Sequence, residues 1–162
     1  MKKLLSVLFI VVFACSYAFA ETKTLGEKTE ILLAMFEGYL EPFGITTYPL
    51  KMTEQEKAQS SFVKPYTKYC SLYITQENGV VTSLKIVSSE DDGSSERIDE
   101  ILACFMAGIM ITNLSIPADD AIDYLTRMAG NSETIVVDGI SYRVISGQPF
   151  TSILSLEIVP QE

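Results

Sequence analysis

EILACFMAGIMITN, residues 100–113, decides between a membrane protein and a folded domain with its own core. The apolar run from Ile101 is broken at Thr112 after eleven residues, well short of the roughly 20 apolar residues that a bilayer requires. Ile101, Leu102, Phe105, Ile109 and Met110 leave the helix without a polar face, so it is predicted to be covered on more than one side, as the centre of a core. Gly108 costs up to about 1 kcal/mol of helix propensity, which is tolerable where a neighbouring element comes close.

The residues before this helix supply its start. Glu90-Asp91-Asp92-Gly93-Ser94-Ser95 is a polar break; Ser94 or Ser95 can cap, and Glu96, Asp99 and Glu100 place negative charge at the positive end of the helix dipole. After Asn113, Pro117 opens a second helix through Met128, with Ala121, Ile122, Leu125 and Met128 on one face and Gly130-Asn131 as the stop. Residues 24–41 form another amphipathic helix carrying Ile31, Leu32, Met35, Phe36, Tyr39 and Leu40, which Pro42 ends. Between 43 and 67, Gly44, Pro49 and Pro65 break the pattern. Within that stretch Thr53-Glu54-Gln55-Glu56 matches a capping box for a short helix.

From Lys68 the period changes to two. Cys70, Leu72 and Ile74 oppose Tyr69, Ser71, Tyr73 and Thr75; beyond Asn78-Gly79, Thr82, Leu84 and Ile86 oppose Val81, Ser83, Lys85 and Val87. Asn-Gly tolerates the positive φ angles of a type I′ turn, so the pair is a hairpin. Thr134–Val137, an Asp138-Gly139 turn, Ile140–Ser146 and residues 151–159 make the remaining strands. The expected fold is α+β: an antiparallel sheet of about five strands, in two hairpins with Asn-Gly and Asp-Gly turns, packed by about three helices on one face.

The first twenty residues, MKKLLSVLFIVVFACSYAFA, combine Lys2 and Lys3, an apolar run and a small-x-small Ala18-Phe19-Ala20 site. This is the pattern of a secretory signal peptide, 1–20, with 21–162 as a single exported domain in the periplasm or outside the cell. Lipid anchoring at Cys15 is the minor alternative. Of the 162 residues 21 are acidic and 12 basic, and losing Lys2 and Lys3 takes the formal charge from −9 to −11. Such a surface repels nucleic acid and anionic lipid, and leaves a protein or small ligand, possibly cationic, as the expected partner.

With no histidine anywhere, Ser-His and Cys-His catalysis and histidine metal sites are excluded. No phosphate loop or nucleophile elbow occurs, no cofactor is expected, and an enzyme would rest on carboxylates, as in a hydrolase of envelope polymers. The acids at 90–92 and at Asp119, Asp120 and Asp123 sit at helix starts, where the dipole accounts for them; a weak Ca²⁺ site at 90–96 is the functional alternative, without EF-hand spacing. Cys70 and Cys104 are expected to bridge strand to helix, stabilising by roughly 3 to 4 kcal/mol, against two buried free thiols. Eight of the aromatics fall between 36 and 73. Tyr66, Tyr69 and Tyr73 form the candidate binding surface, unless the first helix or the 43–67 segment covers them as a second small core. The functional expectation is an exported interaction domain, with the hydrolase or an envelope-anchored lipoprotein assisting assembly as alternatives.

Overall fold

A computed structural model describes residues 24–89, 94–146 and 153–161. The expected signal peptide, residues 1–20 with Cys15, and residues 90–93 of the acidic break lie outside the described residues. The chain runs α1 (Thr29–Tyr39), a 3₁₀ turn (Glu41–Phe43), α2 (Glu54–Lys57), β1 (Ser61–Pro65), β2 (Cys70–Glu77), β3 (Val80–Ser88), α3 (Ser95–Thr112), α4 (Ala118–Asn131), β4 (Thr134–Val137), β5 (Ile140–Ser146) and β6 (Leu154–Pro160).

One antiparallel sheet of six strands has the order β1-β2-β3-β6-β5-β4. The α+β expectation holds, with β1 added to the five strands. The order is a palindrome: two three-strand meanders, each preceded by helix, meet where β3 pairs with β6. Both hairpin turns are as predicted, with φ of 53° and 77° at Asn78 and Gly79 and 50° and 78° at Asp138 and Gly139.

The alternation on β3 breaks once. Thr75 pairs with Ser83 but Gln76 with Val81, so Thr82 is the extra residue of a bulge and the strand phase flips behind it. Val81 is therefore buried together with Leu84 and Ile86, and the expected inward place of Thr82 passes to its neighbour.

The helix that holds residues 100–113 is the centre of the molecule. Ser94 Oγ accepts from the Arg97 N–H at 3.3 Å to start α3, and α3 then packs against α1, α4, β2, β3 and β6. Gly108 faces the β3–β6 junction: a Cβ there would lie 2.6 Å from Ile86 Cδ1, 3.1 Å from Ile158 Cδ1 and 3.3 Å from Leu156 Cδ2. No described helix is long and apolar enough to cross a membrane. α4 runs through Asn131, past the expected Met128, and ends where Ser132 takes φ 53°.

The 43–67 segment is held at the β1 edge by polar contacts. The capping box forms, with the Glu56 N–H donating to Thr53 Oγ and Glu56 Oε2 accepting from the Thr53 N–H. The same carboxylate takes Lys64 Nζ at 2.7 Å, while Gln76 Nε2 donates to the carbonyls of Glu56 and Gln59. On the far side of the sheet Glu157 joins Lys85 at 3.1 Å and Arg143 at 2.9 Å. Burial alone would raise both carboxyls. Hydrogen bonds from Lys64 and Thr53 to Glu56, and from Arg143 and Lys85 to Glu157, hold them below the ordinary glutamate value instead.

These lowered values give stability a definite pH dependence. An unfolded glutamate binds its proton near pH 4.3 and these folded ones only lower, so stability is fully present above about pH 4.3 and falls as acid titrates through the folded values. Glu56→Gln and Glu157→Gln are each expected to cost about 1 kcal/mol at most at neutral pH, after solvent screening, and together to flatten the fall in urea midpoint between neutral and acid pH. An acid limb equally steep in the double variant would show that other groups carry it.

Candidate functional site

The expected bridge between Cys70 and Cys104 is not formed. Both are free, buried thiols; Cys104 is 0% exposed, with Thr67 Oγ 3.8 Å from its sulfur. They pack as small apolar side chains within the core cluster. Hydrogen bonding to Cys70 and burial push the Cys104 thiol up, away from the thiolate that nucleophilic or redox chemistry requires.

The tyrosine surface is likewise corrected. Tyr66 is 0% exposed: its ring meets Phe36 edge-on at 5.2 Å and its hydroxyl donates to the Phe36 carbonyl at 2.9 Å, so α1 covers it. Tyr69 is buried, with Lys68 Nζ 2.6 Å from its hydroxyl and its N–H donating to Glu100 Oε1 at 2.9 Å. Only Tyr73 is exposed, on the outer sheet face. There it belongs to the cross-strand row Val63–Tyr73–Lys85–Glu157–Arg143–Thr134. The Lys85–Glu157–Arg143 triad follows Val63 and Tyr73 in this row, so these two stay at one end of it and do not extend into an apolar patch across the sheet.

The helical layer is different. Between α3, α4 and β5 lies an open cleft of about 480 Å³. Phe105 and Ile101 of α3, Leu125 and Met128 of α4 and Val144 of β5 are among its lining residues. At its mouth Ile98 and Leu102 stand 56% and 47% exposed. Near the start of α3 the cleft meets Arg97, buried, with Nη2 donating to the Ser89 carbonyl at 2.6 Å. In a chain with 21 acidic residues, no acidic residue is among the described lining of this cleft.

Across α3 are two further recesses. One of about 190 Å³ lies between Tyr39, Phe43, Leu102 and Met106. The other, of about 680 Å³, is polar and carries Glu96, Asp99 and Glu100 with Lys68. These three acids sit within about one turn of a single helix, and the facing segment Phe43–Thr46 has no carboxylate. Among the described residues, two acids flanking a scissile bond from opposite sides, as glycoside hydrolysis demands, are therefore not assembled in this recess. Among the described residues no group of three or more metal-binding side chains could hold an ion.

The sequence pattern does not disclose the cleft, because Leu102 looks like a core residue in a helical stretch without a polar face, yet it stands exposed. The chain matches no family model, no curated protein and no solved structure.

Proposed function

We propose that this chain is an exported interaction module that holds an apolar group of its partner in the cleft between α3, α4 and β5, by burial and without covalent chemistry. One observation carries this reading: Ile98 and Leu102 stand exposed at the mouth of a cleft floored by Phe105, Leu125 and Met128. Its size falls within the roughly 300 to 1,000 Å³ of ligand sites, and apolar walls with few polar groups are their usual make-up. Fully covering a side chain such as Leu102 is worth about 2 kcal/mol, of which roughly half is still available here. Export is supported by the basic start, apolar run and Ala18-Phe19-Ala20 site, and the excess of acid keeps the module away from anionic surfaces.

The test uses an apolar fluorophore, N-phenyl-naphthylamine. The parent is expected to bind it with enhanced emission, and Leu102→Asp and Ile98→Asp to weaken binding about tenfold by placing a charge where burial is needed. Both positions are half exposed, so urea midpoints should stay close to the parent's. Unchanged fluorophore affinity in both variants would remove the cleft from the account.

A further inference from the structure

We infer that the apolar group received by the cleft is a side chain of a cationic, amphipathic protein segment laid along the exposed ridge of α3. This rests on the cleft being the binding site and adds the chemistry of the partner. The ridge presents Ile98, Leu102 and Met106, successive residues four apart, with Ala103 beside them. Ile98 and Leu102 are exposed, and Ala103 and Met106 are half-buried. Leu102 lines the α3–α4 cleft on one side and the smaller recess against α1 on the other. In that recess Phe43 is 60% exposed and stacked on Tyr39 at 6.1 Å.

A compact apolar molecule fills one cleft. Two apolar recesses astride a single helix suit side chains spaced three or four apart on one partner segment, the anchor spacing of a helix bound in a groove. The sign of the partner's charge follows from the next recess. Asp99 lines both it and the small apolar one, and Glu96 and Glu100 lie beside Asp99, with Lys68 the one basic residue of the described lining. With a formal charge of −9 on the whole chain, a segment whose apolar anchors are flanked by Lys or Arg is drawn in, and an acidic one is repelled. The same field disfavours an anionic lipid surface as the occupant.

The probes are two fluorescein-labelled amphipathic helical peptides of identical apolar pattern, one Leu/Lys and one Leu/Glu, with a Lys-rich peptide lacking leucine as the third. Leu/Lys is expected to bind, and the other two to bind at least about tenfold more weakly. Phe43→Ser, and Glu96→Lys with Asp99→Lys, should each weaken Leu/Lys binding about tenfold while the fluorophore still binds in the α3–α4 cleft, which these residues do not line. Asp119→Lys with Asp120→Lys makes the same charge change at the exposed start of α4 and should leave peptide binding within about twofold. Equal binding of Leu/Lys and Leu/Glu, equal loss in the α4 variant, or no peptide binding by a protein that takes the fluorophore overturns the inference. Loss of fluorophore binding by the parent would instead overturn the cleft itself.

Discussion

Gly108→Val is expected to destabilise the protein by about 3 kcal/mol, the upper end of what extra methyl groups cost in a filled core. A Cβ at this position would sit 2.6 Å from Ile86 Cδ1 and within 3.3 Å of Ile158 and Leu156. All three side chains are fully buried, so none can swing into solvent to make room, and valine adds two more carbons. Alanine regains up to about 1 kcal/mol of helix propensity against an overpacking cost of similar size or larger, so the valine variant separates the effects. Gly130→Ala, at an exposed position of α4, is the control: nothing lies within 4 Å of its added carbon, and propensity alone should stabilise by up to about 1 kcal/mol. Urea unfolding reads both, through a shifted midpoint at constant slope. A valine variant as stable as the parent would mean that α3 does not rest on the β3–β6 junction.

Tyr66→Ala is expected to cost about 4 kcal/mol, whereas Tyr73→Ala should change stability by no more than about 0.5 kcal/mol. The first removes a fully buried ring, its edge-on contact with Phe36, and the hydrogen bond that satisfies the Phe36 carbonyl inside the core. The second trims a ring that is 46% exposed on the open sheet face. Thermal or urea unfolding of the pair decides whether the tyrosines are packing or contact surface. Equal small losses in both would return Tyr66 to the surface.

The same two tyrosines show what the chain discloses about itself. Period-two alternation placed the Tyr73 side of β2 opposite Cys70, Leu72 and Ile74, and the fold agrees. Alternation says nothing of what lies over Tyr66, because that depends on α1 returning from thirty residues away in the chain. The hairpins were legible because Asn78-Gly79 and Asp138-Gly139 meet a local demand for positive φ. β1 was hidden for the converse reason. Its burial alternates, but one inward position is Lys64, whose charge is met by Glu56 of the preceding helix α2, and Pro65 closes the strand. A buried lysine and a proline erase the apolar rhythm on which strand recognition depends.

The candidate site was less legible than the fold. Cys70 and Cys104 were rightly placed on facing elements of the core, but chain spacing does not carry the geometry that a bridge requires. The cleft depends on how far α1 and α4 stand from the ridge of α3, a property of three-helix packing on the sheet. Ile98 and Leu102 read the same whether that ridge is covered or open. Their exposure beside a vacant apolar volume exists only in three dimensions.

Methyl NMR of the folded protein titrated with N-phenyl-naphthylamine locates the bound apolar group residue by residue. Shift changes are expected at the methyl groups of Ile98, Ile101, Leu102 and Leu125, which line the cleft, while Val63, Val136 and Val159, exposed on strands β1, β4 and β6, keep their positions. Changes confined to those valines, with the cleft methyls unmoved, would place binding on the sheet and contradict binding in the cleft.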